Sequence, residues 1–178
     1  MQLQDSKTFQ NLHAAFAGET QARSKYTYYA GKARKDGYEQ IADIFEETAK
    51  NELAHAKLWF ELIVGGIKET GHNLADAQAG EQYEWSEMYA EFARVAREEG
   101  FSDIARRFEM VANVEKAHDS RYGRLLENVR AGKVFAREQT QEWVCRNCGH
   151  IHRGKEAPAV CPLCAHPGSY FELQAQNY

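Results

Sequence analysis

Two Glu-x-x-His pairs stand out in the sequence, Glu52 with His55 and Glu115 with His118. Residues three apart on a helix share a face, so each pair can aim a carboxylate and an imidazole at one point. A single such pair arises easily by chance on a charged helix; the second copy makes it a pattern. Glu19 and Glu81 add single carboxylates, and Glu84 follows Glu81 by one helical turn. Carboxylates turned into an apolar helical core cost several kcal/mol each unless paired or coordinated, and two cations would remove that cost. Mixed oxygen and imidazole ligation suits iron or manganese better than zinc. The competing reading is that these are solvated residues of a charged helix face.

The second group of chemically capable residues is Cys145-Arg146-Asn147-Cys148 and, twelve residues on, Cys161-Pro162-Leu163-Cys164. Two Cys-x-x-Cys knuckles can close a tetrahedral all-sulfur site. Gly149 and Pro162 suit tight turns whose backbone N–H groups point at thiolates. Spacing alone does not separate a tetrathiolate iron from a structural zinc. Attachment to a redox-capable centre favours iron, because zinc has no redox use. His150, His152 and His166 lie nearby, but four thiolates already saturate such an ion, so they read as surface residues.

The elements that must position these residues follow from the breaks in the chain. From about Asp5 to Ala131 helix formers dominate, interrupted at Asp36-Gly37, Gly65-Gly66 with Gly71, Gly100 and Gly132. This gives four helices of roughly 23 to 31 residues and an antiparallel bundle. Ile41, Ile44, Phe45, Thr48 and Ala49, and likewise Ile104, Phe108, Val111 and Ala112, form apolar stripes. The halves also resemble each other. Ala17-Gly18-Glu19 recurs as Ala79-Gly80-Glu81, an offset of 62 residues, whereas Tyr26 recurs as Tyr89 and Asp36-Gly37 as Glu99-Gly100, an offset of 63. A duplicated helical hairpin with a one-residue slip results. The expected boundaries are a helical domain over 1–132, a connector over 133–142, and a four-cysteine domain over 143–178 with Trp143, Tyr170 and Phe171 as its aromatic core.

With 178 residues, a net charge of −4, 27% charged and 43% apolar residues, the chain reads as folded and globular. The acidic balance argues against nucleic acid. No apolar run nears the ~20 residues that span a bilayer, and the first residues carry no basic-then-apolar signal. A cytoplasmic location is expected, where Cys-x-x-Cys pairs bind metal more often than they form disulfides.

Ferritin-like di-metal sites need one Glu from each of two helices and a Glu-x-x-His from each of the other two. All six positions are filled here in helix order. With Glu84 added and a four-cysteine module following, the chain resembles the rubrerythrins over nearly its whole length. That resemblance implies a ferritin-like four-helix bundle with a rubredoxin-like domain, holding two Fe and one Fe per chain, with Zn a possible substitute. It further implies a peroxidase that reduces hydrogen peroxide for oxidative-stress defence, fed by NAD(P)H through an external reductase and the tetrathiolate iron.

In the family pattern Glu52 and Glu115 bridge the irons, and Glu19, Glu81, Glu84, His55 and His118 are terminal ligands. Glu84 and His55 would exchange on one iron as the site changes redox state. Tyr26 and Tyr89 take the places of the family's site tyrosines, with core packing an equal explanation. A ferroxidase would use the same six bundle ligands without needing Glu84 or the four-cysteine module. A zinc-ribbon interaction module on a helical scaffold would be colourless.

A last expectation concerns assembly. In ferritin-like topology the second and third helices run parallel, so their connection must travel along the bundle. A nine-residue connector, Gly65 to Asn73, reaches at most about 30 Å, against an axial gap of about 25 to 30 Å at ~1.5 Å per residue. The reach is barely sufficient, which points to a homodimer that exchanges hairpins.

Overall fold

The computed structural model describes residues 2–177. Two compact units divide these residues, one running up to residue 68 and the other starting at residue 69. The first is a helical hairpin of α1 (Lys7–Lys35) and α2 (Glu39–Val64). Ser6 starts α1 by accepting the Phe9 N–H on its hydroxyl at 3.2 Å. Gly37 makes the reversal in a left-handed conformation, φ 84°, that residues with a Cβ rarely adopt.

The second unit repeats that hairpin. Its first arm is α3 (Thr70–Tyr83), a π turn (Glu84–Met88) and α4 (Tyr89–Glu98); its second is α5 (Ser102–Arg130). The duplication inferred from sequence is therefore structural. Ala30, Ala33 and Ala42 are buried in one hairpin, and Ala93, Ala96 and Ala105, each 63 residues on, in the other. Tyr26 and Phe45 have ring centroids 6.1 Å apart, and Tyr89 and Phe108 6.0 Å. Arg34 pairs with Glu46 as Arg97 does with Glu109.

The one-residue slip between the halves lies between Glu81 and Tyr89, and the π turn occupies that interval. There the Tyr89 N–H donates to the Glu84 carbonyl, five residues back instead of four. One extra residue is absorbed as a bulge, and both flanking segments keep their facing.

The apolar stripes do not serve the hairpins in the way their periodicity suggests. The hairpins close on alanine, which lets the helices approach closely, while Ile41, Ile44, Leu53, Leu58 and Leu62 stay exposed on α2. Ile104, Met110, Val114 and Leu125 do the same on α5. Burying each such side chain fully is worth about 1.5–3 kcal/mol, so both hairpins carry a second apolar face that would gain by being covered.

After Arg130 the chain forms a three-stranded antiparallel sheet in the order β2-β1-β3, with β1 Ala136–Cys145, β2 Ile151–Glu156 and β3 Phe171–Leu173. β1 takes in most of the segment 133–142 that was expected as a connector, and its Gln141 and Glu142 pair with Gly154 and Arg153. Trp143 and Phe171 are buried with Cys145 and Cys161, and the Trp143 indole donates to the Gly154 carbonyl at 3.0 Å. Tyr170 departs from the expected aromatic core. It is exposed and lies edge-on to His166, ring centroids 4.6 Å apart.

Candidate metal centres

Each hairpin gathers three of the expected bundle donors. In the first, Glu19 on α1 meets Glu52 and His55 on α2, and in the second Glu81 on α3 meets Glu115 and His118 on α5. Within each trio the donor atoms lie within 4.8 Å of one another. His55 Nδ1 is 3.3 Å from Glu52 Oε2 and 3.6 Å from Glu19 Oε2. His118 Nδ1 is 2.7 Å from Glu115 Oε2 and 3.4 Å from Glu81 Oε2. The i, i+3 spacing read from sequence is what brings carboxylate and imidazole together.

The electrostatics of the trios fit a cation. Glu19 and Glu52 share a hydrogen bond that lowers the first carboxyl's pKa and raises the second's. Desolvation, then the hydrogen bond with Glu115, raises Glu81. Close carboxyls cannot all ionise cheaply unless a positive ion joins them. Oxygen and imidazole donors suit iron.

Glu84 stands apart from the close trio, in the π turn. Its charge, together with those of Glu115 and Glu81, adds to the dominant effect of burial in raising the Tyr89 hydroxyl above its ordinary value. Tyr89 is thereby placed beside the carboxylates. Tyr26 packs against Phe45 and Tyr29.

Two features escaped the sequence reading. Asp119, directly after His118, accepts from Gln78 Nε2 and from Trp85 Nε1, both at 3.0 Å, and Lys116 sits 5.0 Å from the Trp85 ring centroid. This ties the π turn to the helix bearing His118. The repeat places buried Ala56 at the Asp119 position, so the network belongs to one half alone. Trp59 is the second feature: its buried indole N–H makes no hydrogen bond of normal geometry among the described residues, yet it lies close enough to Glu19 to help lower that carboxyl. One residue without a repeat counterpart, and one aromatic on an otherwise apolar face, give no signal of this kind in sequence.

The four cysteines converge as expected, and all are free. Cys145 and Cys164 sulfurs are 3.8 Å apart, Cys148 and Cys161 3.7 Å. A tetrahedral ion with bonds of about 2.3 Å has edges of about 3.8 Å, so the cage already has the size of its ion. The knuckles are built alike. Cys145 N–H donates to the His150 carbonyl and Gly149 N–H to Cys145, at 2.9 and 2.8 Å; Cys161 N–H donates to His166 and Ala165 N–H to Cys161, at 2.8 and 3.0 Å.

Ala165 takes the left-handed position that Gly149 fills in the first knuckle, φ 59° against 75°. The His166 backbone N–H chiefly brings the Cys164 thiol down to about 6. The His150 N–H acts likewise on Cys148, but burial and the neighbouring thiols outweigh it and raise that group to about 12. His150, His152 and His166 are half-buried rather than surface residues, and two of them serve the knuckles through their backbone.

Helical hairpins with matched carboxylate and imidazole donors, followed by a tetrathiolate knuckle pair, define a ferritin-like iron protein with a rubredoxin-like domain. The family model described as Rubrerythrin matches residues 10–126, and that described as Rubrerythrin, rubredoxin-like domain, matches residues 143–172. Rubrerythrin of Nitratidesulfovibrio vulgaris is 47% identical, the alignment covering 99% of this chain and 98% of that one. Rubrerythrin of Porphyromonas gingivalis is also 47% identical, over 99% and 94%, and Rubrerythrin-1 of Clostridium acetobutylicum 44%, over 99% and 98%. The chain belongs to the rubrerythrin family.

Proposed function

We propose that this protein is a peroxidase that reduces hydrogen peroxide to two waters, using two electrons and two protons, in defence against oxidative stress. The observation that carries the reading is Glu84, a further carboxylate set by a π turn beside a carboxylate and imidazole site, in a chain that also bears a tetrathiolate cage. An iron-handling ferroxidase needs neither feature.

Glu19, Glu52 and His55, with Glu81, Glu84, Glu115 and His118, would hold two irons, and the four cysteines one. When bound, the iron pair would supply two-electron redox chemistry at the carboxylate donors, and an iron held by Cys145, Cys148, Cys161 and Cys164 would supply one-electron chemistry suited to an external reductase linked to NAD(P)H. The protein's own groups set the conditions. Burial first, and then three carboxylates, push the Tyr89 hydroxyl further above its ordinary value, so the neutral phenol is a hydrogen-bond donor beside the site. Glu84 supplies an anionic donor suited to the higher iron charge, and His55 a neutral one suited to the lower.

Four free thiols fit a reducing cytoplasm, and among the described residues no helix is long and apolar enough to cross a membrane. The working unit in this reading is a homodimer.

The test is rapid mixing of fully reduced protein with hydrogen peroxide under argon. Oxidation should be first order in peroxide and consume one peroxide per two electrons. A rate independent of peroxide would sink the proposal.

A further inference from the structure

We infer that Asp119 is a positioning residue: by clamping the stretch from Gln78 to Trp85 at both ends, it fixes the π turn and so sets where Glu84 stands. This role rests on the reading above that Glu84 is a metal donor, and it is built within the second hairpin alone. Asp119 follows His118 on α5, and its two oxygens reach different places. Oδ1 accepts from Gln78 Nε2 on α3 and Oδ2 from Trp85 Nε1 in the π turn, both at 3.0 Å. Gln78 lies three residues before Glu81, and Trp85 directly follows Glu84. Both donors therefore sit on a segment pinned at each end to the helix that carries Glu115 and His118.

A π turn needs such a hold. Its hydrogen bond spans five residues, here from the Tyr89 N–H to the Glu84 carbonyl, and single π turns inside α-helices are rare and frequent at functional sites. Glu84-Trp85-Ser86-Glu87-Met88 contains no glycine or proline to force the irregularity. The hold comes from outside the turn. The indole is drawn to Asp119, and Lys116 Nζ lies over the same ring, 5.0 Å from its centroid. Closed as ordinary α-helix, the segment after the turn would be rotated by about 100°, one residue's worth. Tyr89 could not then keep its place against Phe108 while Glu81 kept its own beside His118.

A separate feature makes room for the clamp. Gly123 lies one turn beyond Asp119 on α5, and a Cβ there would come within 2.8 Å of Gln78 Nε2 and 3.3 Å of Gln78 Cδ. Glycine inside a helix is unfavourable relative to alanine, so its presence within α5 needs a reason, and the Gln78 amide seated in the vacated space supplies one.

The first hairpin is an internal control. Its α1 runs unbroken from Lys7 to Lys35 as α-helix, without a π turn. The repeat aligns Phe16 with Gln78, buried Ala56 with Asp119 and Phe60 with Gly123. Where Gln78 sits over Gly123 in one half, Phe16 packs on Phe60 in the other, ring centroids 5.5 Å apart. Bulge, clamp and vacated space occur together in one hairpin and are all missing from the other.

Trp85→Phe and Gly123→Ala test this without altering a charge. The first removes the indole donor and keeps a ring in place. The second pushes the Gln78 amide off Asp119, while the better helix propensity of alanine leaves α5 no less stable. Hydrogen exchange of the full iron-loaded chain, read by mass spectrometry over residues 84–89, should quicken by about tenfold or more in each variant, the size expected for losing a hydrogen bond to a charged group. Exchange in α2 should stay as in the wild type. An unchanged rate over residues 84–89 in either variant would overturn the proposal.

The midpoint potential of the helical iron gives a second readout, one that a merely structural contact would not move. Glu84 is an anionic donor, and loosening it disfavours the higher iron charge. Both variants should therefore raise the potential in the direction of Glu84→Gln, and by less. A potential that moves in Glu84→Gln but stays put in either variant would overturn the clamp. A potential that Glu84→Gln itself leaves unmoved would instead overturn Glu84 as a donor, and the two failures are told apart by the exchange rates.

Discussion

Glu115→Gln should strip iron from the helical site and abolish peroxide reduction while leaving the red tetrathiolate centre in place. Altering an outer-shell partner of a metal ligand costs about 10–100-fold in affinity or activity, and Glu115 is assigned a first contact and a bridging role, so a loss beyond about a hundredfold is expected. Its position explains why no neighbour substitutes. Glu115 lies 2.7 Å from His118 Nδ1 and hydrogen-bonds Glu81, so the amide disturbs all three donors. Metal analysis and peroxide turnover check this together: the helical iron should fall from two per site toward none, with helix content unchanged by circular dichroism.

Cys164→Ser should have the complementary effect. The sulfur closes an edge of 3.8 Å with Cys145 and receives the His166 backbone N–H; Cys164 is half-buried against the Trp143, Cys145, Cys161 and Phe171 core, and serine, close to it in size, keeps that contact. Reductase-driven turnover should drop by more than about a hundredfold on the same metal-ligand argument. Oxidation of the chemically reduced protein by peroxide, which needs no electron entry, should keep its rate. A loss of both would mean that the cysteine domain does something other than relay electrons.

Much of this was legible in the sequence because the chemistry depends on short spacings. Glu52 to His55 and Glu115 to His118 are set by one helical turn, and the cysteine knuckles by two-residue gaps, so the trios and the cage followed directly. The one-residue slip in the repeat marked where a bulge must lie, and the π turn at Glu84–Met88 occupies that interval.

What was not legible depends on which of two apolar faces an element presents. Ile41 and Ile44 fit the same periodicity as Ala42 and Ala49, yet the hairpin seam takes the alanines. Helix ends escape for a related reason: Thr70-Gly71-His72 has weak helix propensity, and α3 starts there regardless. Ala165 in a left-handed turn carries no glycine to announce it.

Metal analysis with the visible spectrum of the purified protein tests the central claim most directly. Three irons per chain and the red colour of iron(III)–thiolate charge transfer are predicted, with one third of the iron lost in Cys164→Ser. A colourless protein with one zinc per chain and none in the helices would contradict the account.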